Sequence, residues 1–146
     1  MQSATTFLLA PDRAVWLIFP HSQAKSLTQA ISERKKQQST TPLTLVFLDA
    51  TWKFAAEMER ASHFPSHTEY VCLDAAQDLA GIQPKRFDIR TPPSPEHLCT
   101  AECLALVASR VEENPIVYET IMKPLDLMVR QWHSFVDKNR ATATTG

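Results

Sequence analysis

The chain has few of the residues on which several common protein classes depend. Only two of its 146 residues are glycine, and no Gly-x-Gly-x-x-Gly motif is present, which argues against a Rossmann-type dinucleotide site. Three cysteines are a small and odd number, so we predict reduced thiols and a cytoplasmic location rather than a disulfide-stapled fold. Pro11-Asp12-Arg13 interrupts the apolar N-terminal stretch, which predicts neither a signal peptide nor a membrane span.

The chain also lacks a strong excess of either charge. Its formal net charge is -1, so the molecule as a whole does not attract nucleic acid, and any RNA contact must come from a local basic patch. The length suits one domain with a sizeable core. We predict a single domain over residues 1–139, followed by a small, polar and disordered tail over residues 140–146.

Strand and helix patterns alternate along the first half of the chain. Residues 14–19, 43–48 and 69–73 read as strands, whereas residues 22–38 and 52–62 have helical periodicity. This alternation predicts an α/β fold with a small, mainly parallel sheet flanked by helices. The nearly unbroken apolar run at 43–48 further predicts a strand that is buried on both faces.

Three helices are predicted in the second half of the chain, the last two on either side of a proline. A helix should begin at Cys99 or Thr100 and run to about residue 113. Pro124 should separate a short helix over residues 117–123 from a longer amphipathic one, because proline cannot donate the next helical hydrogen bond.

Asp49, Thr51 and Trp52 follow the central strand at the point where a helix begins. Ligands of parallel sheets bind at such carboxyl edges, close to the N–H groups of a helix N-terminus. Asp49 either stabilises the helix dipole or lies at the mouth of a pocket, where it would bind an ammonium or act as a general base. Thr51 suits a helix cap, and Trp52 is either a core residue or a pocket wall.

The helix after Trp52 has an apolar face that we expect to pack inward. Its members share helical spacing, and they are Phe54, Ala55, Met58 and Ala61.

Three motifs in the same order resemble the DTW-domain family. The first is Leu17-Ile18-Phe19-Pro20, the second is the Asp-x-Thr-Trp of residues 49–52, and the third is Arg90-Thr-Pro-Pro followed by Leu98-Cys99-Thr100-Ala101-Glu102. Together they cover about residues 14–135. The family is similar to SPOUT methyltransferases, so the resemblance implies a SPOUT-like fold, in which the C-terminal half can form a trefoil knot.

The resemblance also implies an activity and a site. DTW proteins act as tRNA-uridine aminocarboxypropyltransferases, so the expected cofactor is S-adenosylmethionine and the expected partner is tRNA. Asp49 would be the catalytic residue, as a base or as a ligand of the substrate ammonium. The residues expected to bind the cofactor are Phe19, Pro20, Leu48, Thr51, Trp52, Leu98, Cys99 and Thr100.

A compact cationic stretch is the candidate RNA contact. Lys85, Arg86 and Arg90 flank Phe87, and such residues bind phosphates while an aromatic ring stacks on an unpaired base. The alternative is a solvated edge strand, where charges prevent aggregation.

The residues around Cys99 favour a structural interpretation over a metal site. Cys99-Thr-Ala-Glu102 has the spacing of a capping box with cysteine in the serine position, so Glu102 should return to its own helix N-terminus. Cys99 and Cys103 are one turn apart with His97 nearby, but no fourth ligand is evident, so no metal is expected.

The sequence departs from the family at its start. Members of the family carry a cysteine-rich zinc segment and a further strand that are absent from this sequence, so we expect either a compact member or a fragment of a longer protein. Two alternative functions remain open. One is a non-catalytic RNA-binding or partner module with the same fold, and the other is a SPOUT-type RNA methyltransferase.

Overall fold

A computed structural model describes residues 11–80, 88–89 and 97–143 of the chain. Four strands and four helices lie in this part. In chain order they are β1 (Ala14–Ile18), β2 (Lys25–Ser26), α1 (Leu27–Lys36), β3 (Leu43–Phe47), α2 (Trp52–Ala61), β4 (Thr68–Cys72), α3 (Thr100–Val111) and α4 (Pro115–Ala143). The strands form one parallel sheet in the order β2-β4-β1-β3. The predicted α/β class with a small parallel sheet is therefore confirmed, whereas the trefoil knot stays a prediction.

The residues cluster into two compact units, 1–82 and 83–146, and each is described by itself. The first contains the sheet with α1 and α2, and the second contains α3 and α4. The prediction of a single domain over residues 1–139 stays a prediction. The last helix ends at Ala143, beyond the position at which the tail was expected to begin.

The core of the first unit is centred on β1. Val15, Trp16 and Leu17 are buried, because β1 pairs with β3 on one side and with β4 on the other. The prediction that the strand at residues 43–48 is buried on both faces was wrong. Within the described part of the chain β3 pairs only with β1, and all five of its residues are half-buried.

The register of the sheet brings three carboxyl ends to one edge. Ile18 pairs with Phe47 of β3 and with Val71 of β4. The N–H of Phe19 then donates to the carbonyl of Val71 at 3.0 Å, which extends the pairing by one residue. The segments that follow β1 and β3 therefore leave the sheet side by side.

Helices α1 and α2 contact opposite faces of the sheet. Glu69 of β4 binds Lys25, which also binds Glu33 of α1, whereas the next residue, Tyr70, donates to Glu59 of α2. Successive residues of a strand point to opposite faces, so the two helices lie on different sides.

The first helix begins later than its sequence pattern predicts. Residues 25–26 form a short parallel strand with β4, and Ser26 rather than Ser22 is the N-cap, since its Oγ accepts from the N–H of Gln29 at 3.1 Å. Buried Asp78 accepts from the N–H groups of Leu27 at 3.2 Å and Thr28 at 3.0 Å. A carboxylate from a distant turn thus completes the cap of α1.

The apolar face of α2 is not turned inward, and the prediction for it was wrong. Phe54 is 54% exposed and Met58 is 41% exposed. Of the four predicted residues only Ala55 is half-buried. Glu59, one turn after Ala55, is also half-buried and binds Tyr70 of β4.

The second unit is built on the pairing of α3 with α4. Leu106 and Val107 of α3 and Met122 and Val129 of α4 are buried. The predicted helix break at Pro124 was wrong, because α4 is one helix that contains this residue. Met122 precedes the proline and Val129 follows it, and both are buried, so the two halves of the helix pack on the same face. Pro124 has no N–H to donate to the carbonyl one turn earlier, but it is exposed, so water can bind there instead.

Of the helices that the structure describes, none combines the length and the apolar character needed to cross a bilayer.

Candidate functional site

The candidate site begins at the edge where β1 and β3 end. Phe19 and Leu48 are the first residues after the paired ends Ile18 and Phe47, so they follow adjacent strands at one edge of the sheet. Both are half-buried. Pro20, the next residue after Phe19, is exposed. These three residues were predicted to bind the cofactor, and the register of the sheet brings them to a common edge.

Asp49 projects from a tight turn directly after β3. The N–H of Ala50 donates to the carbonyl of Leu48 at 3.1 Å, which makes Asp49 the middle residue of the turn. Asp49 is exposed, and its carboxylate accepts no hydrogen bond from any residue in the described part of the chain. The carboxylate is therefore accessible to a ligand, and both predicted roles, stabilising the helix dipole and binding at a pocket mouth, stay predictions.

The start of α2 offers backbone donors next to Asp49. Thr51 is the N-cap by its backbone angles, and its carbonyl accepts from the N–H of Ala55 at 2.8 Å. Its side chain makes no capping hydrogen bond, so that part of the prediction was wrong. The N–H groups of the first turn are thus not capped by Thr51, which is the situation that favours an anionic ligand. Trp52 is the first residue of the helix, and its side chain lies outside the described part.

Leu98, Cys99 and Thr100 belong to the second unit, where they lead into α3. All three are half-buried. The predicted capping box is confirmed: Cys99 Sγ accepts from the N–H of Glu102 at 3.4 Å, and Glu102 Oε2 accepts from the N–H of Cys99 at 3.0 Å. Glu102 is buried and has the structural role that its spacing indicates.

The thiols of α3 are poor nucleophiles. Burial raises the pKa of Cys99 to about 11 and that of Cys103 to about 12, so both are protonated at neutral pH. Metal binding and nucleophilic attack require the thiolate. Among residues 11–80, 88–89 and 97–143 no group of three or more potential metal ligands converges.

The predicted RNA-binding residues Lys85, Arg86 and Arg90 lie outside the described residues. Asp88, which lies between them in the sequence, is described, and its Oδ1 is 2.8 Å from Nε2 of His133 on α4. Both partners are well exposed.

A second group of side chains near the edge was missed by the sequence. The ring of His21, two residues after Phe19, stacks on Tyr70 with centroids 4.1 Å apart, and Tyr70 donates to Glu59 Oε1 at 2.5 Å. His21 Nδ1 accepts from the N–H of Gln23 at 3.2 Å, so the neutral ring carries its proton on Nε2. Its position directly after the Leu-Ile-Phe-Pro motif was the available signal.

Comparison with known proteins decides the family. The model of the DTW domain matches residues 1–133. The chain belongs to the DTW-domain family. This confirms the resemblance drawn from the three motifs, and it extends the matched region to the N-terminus.

Two curated relatives of this DTW-domain chain carry the same name, tRNA-uridine aminocarboxypropyltransferase 2. The protein from Macaca fascicularis is 25% identical over 112 residues, which cover 77% of this chain and 34% of the relative. The protein from Mus musculus is 24% identical over 117 residues, which cover 80% of this chain and 36% of the relative. The chain thus spans about a third of the length of the relatives that it matches. No solved structure matches it.

Proposed function

We propose that this DTW-domain chain transfers the 3-amino-3-carboxypropyl group of S-adenosylmethionine to a uridine in tRNA. Family membership and the names of the two relatives support the reaction class. The observation that carries the proposal is the position of Asp49. Its exposed carboxylate follows the sheet edge beside Phe19 and Leu48 and is bound by no described residue.

The residues at this edge suit a cofactor that has an apolar body and separate charges. Phe19, Pro20 and Leu48 offer apolar contacts, and the N–H groups at the start of α2 suit a carboxylate. Asp49 suits an ammonium or a sulfonium. Thr51 and Trp52 complete this group, with the indole proposed for a cation–π contact worth about 1 kcal/mol. Leu98, Cys99 and Thr100 are proposed as contacts of the adenosine.

The chemistry needs a proton acceptor. When bound, S-adenosylmethionine supplies the carbon next to its sulfonium, and methylthioadenosine leaves. Asp49 is proposed to accept the proton of uridine N3 as the N3–C bond forms and the C–S bond breaks. A carboxylate within hydrogen-bond reach of N3 is a suitable acceptor for this proton.

The proposed RNA contacts are Lys85, Arg86 and Arg90, which follow the sheet unit in sequence. Their cationic side chains would bind tRNA phosphates, and Arg90 has the planar donors that bind a phosphate in bidentate fashion.

The reaction is tested with two forms of labelled S-adenosylmethionine and total tRNA. Label in the carboxypropyl arm should appear in tRNA, and label in the methyl group should not. Methyl transfer without carboxypropyl transfer would make the protein a SPOUT-type methyltransferase. Binding of tRNA with no heat and no melting shift from S-adenosylmethionine would make it a non-catalytic binding module.

The role of Asp49 is tested by Asp49→Asn, with Asp137→Asn on exposed α4 as the control of equal charge. Asp49→Asn should abolish transfer and leave the melting temperature unchanged, whereas Asp137→Asn should change neither. A variant that is merely unstable would instead assign Asp49 to stabilising the helix.

A further inference from the structure

A second charged cavity lies at the opposite end of β1 from Asp49. Its volume is about 280 Å³, and its wall includes Arg13, Trp16, Lys25, Arg34 and His67. The cavity lies beside the amino-terminal half of β1, and three residues of its wall, Ala30, Glu33 and Arg34, come from α1. It is therefore separate from the edge at which β1 and β3 end.

The acidic residues of this cavity are held by one lysine. Lys25 Nζ lies 2.5 Å from Glu33 and 2.9 Å from Glu69, and the same contacts lower the pKa of Glu33 and raise the pKa of Lys25. The carboxylates of Glu33 and Glu69, which line the cavity, therefore share the ammonium of Lys25 as their partner. Asp12 lies next to Arg13 in sequence and adds a third carboxylate near the cavity.

Arg34 is anchored so that its charge stays at the cavity. Its Nη1 donates to Ser39 Oγ at 3.3 Å, and its Nη2 donates to the carbonyl of Thr41. A guanidinium has five N–H donors, so these two contacts leave donors for a ligand. A fixed guanidinium loses less conformational entropy on binding than a free one does.

The last turn of α1 has more positive charge than the helix needs. Arg34, Lys35 and Lys36 are consecutive, whereas the helix dipole places only about half a negative charge at that end. Two of the carbonyls there are already satisfied by the backbone, because Gln38 N–H donates to Lys35 O at 2.9 Å and Ser39 N–H donates to Arg34 O at 3.3 Å. The last turn thus gathers three cations in a chain whose net charge is -1.

We propose that Arg13, Arg34, Lys35 and Lys36 bind the phosphodiester backbone of the RNA substrate. Arg13 and Arg34 lie in the cavity wall, and Lys35 and Lys36 follow Arg34 on α1. Several separate cations suit successive phosphates better than a single small anion. Trp16 of the cavity wall lies three residues before Phe19, about 10 Å at the rise of a strand. One RNA can span that distance, so this surface would position the substrate while Asp49 acts on one nucleotide. The identification of RNA as the ligand rests on the proposed function.

The test uses the double variant Lys35→Gln/Lys36→Gln, which leaves the anchored Arg34 in place. Its control is Lys123→Gln/Lys138→Gln, which removes the same charge from exposed positions on α4. Binding of tRNA is measured over a range of KCl concentrations. The α1 variant should bind about tenfold or more weakly, and the slope of log K against log [KCl] should become shallower by about 1.4 to 1.8.

Transfer to a uridine mononucleotide separates this proposal from the proposed function. Such a substrate is too short to reach both sites, so the α1 variant should modify it at the wild-type rate. If the α1 variant and the α4 control have equal tRNA affinities and equal salt slopes, the proposed RNA-binding surface is wrong, even if transfer is observed. Absence of transfer from the wild-type protein would overturn the proposed reaction, while the salt slopes would still decide the binding surface.

Discussion

The phenol of Tyr70 donates to Glu59 Oε1 at 2.5 Å and joins strand β4 to helix α2. On the same ring, His21 stacks from the loop that follows β1. Tyr70 therefore connects two segments that lead to the candidate site, the turn after Phe19 and the helix that begins at Trp52. The rigidity of that edge depends on a contact made on a central strand.

We expect Tyr70→Phe to lower the free energy of unfolding by about 1 kcal/mol, because a partly exposed charged hydrogen bond is lost. The bond to Glu59 raises the pKa of Tyr70, so folding favours the neutral phenol. Its contribution is complete below the unfolded pKa of about 10 and is lost as the pH rises above it. Urea unfolding at pH 8 and pH 10.5 should show a larger loss in wild type than in Tyr70→Phe. An identical loss in both proteins would contradict this.

The thiols of Cys99 and Cys103 should react slowly in the native protein. With pKa values of about 11 and about 12, their thiolate fractions at pH 8 are about 100-fold to 1000-fold below that of an ordinary cysteine. Iodoacetamide labelling followed by mass spectrometry should modify both far faster in urea. A Cys72→Ser background removes the third thiol. Since both pKa values are raised on folding, these thiols also make the fold less stable as the pH rises above 9.

Asp78→Ala should be among the most destabilising single changes in the first unit. Asp78 is 2% exposed and accepts from Leu27 N–H, Thr28 N–H and Asp74 N–H at 2.8 to 3.2 Å, and from Thr28 Oγ1 at 2.7 Å. Loss of the carboxylate leaves buried donors unpaired, which costs about 3 kcal/mol. Asp137→Ala on exposed α4 should cost under about 0.5 kcal/mol. Urea unfolding measures both, and similar values would refute the capping role.

Gln38→Gly should stabilise the protein. Gln38 has φ 47° at the position after the helix cap, where glycine adopts the left-handed conformation without strain. The expected gain is about 0.5 to 1 kcal/mol, seen as a higher melting temperature. Gln37→Gly is the control, because that residue has φ -75° and glycine there should destabilise. A lower melting temperature for Gln38→Gly would show that its side chain makes a compensating contact.

The elements of the sheet could be predicted from sequence because their signals are local. The strands at 14–19, 43–48 and 69–73 were each placed to within one residue at their ends, and so was the N-terminus of α2 at Trp52. The capping box at Cys99 was recognisable because its two hydrogen bonds join residues three apart. The carboxyl edge that carries Phe19, Leu48 and Asp49 follows from the parallel order.

The wrong predictions concern the neighbours of each helix or strand, because local sequence patterns do not reveal tertiary contacts. The run at β3 looked like a central strand, but its neighbours are set by the sheet order, and that order places β1 in the middle. The inward face of α2 was assigned from apolar periodicity, but Phe54 and Met58 are exposed, and the helix binds the sheet through the hydrogen bond between Glu59 and Tyr70. Pro124 was expected to end a helix, and buried residues on both sides keep the helix intact.

The capping of α1 was also beyond the sequence pattern. Asp78 is 50 residues from Thr28 and has no motif of its own, so no spacing rule connects the two. The charged cavity was missed for a similar reason. Arg13 and Arg34 are far apart in sequence and meet only because α1 packs beside the start of β1.

The position of β1 has a consequence for how the chain folds. Among the described strands, β1 precedes both of its neighbours in the chain. Leu43 of β3 lies 29 residues after its partner Ala14, and Thr68 of β4 lies 53 residues after its partner Val15. Its apolar side chains must stay uncovered on the nascent chain until those segments emerge. Such distant pairing gives the sheet a high contact order, so we expect slow refolding and early aggregation when the chain is truncated before Thr68.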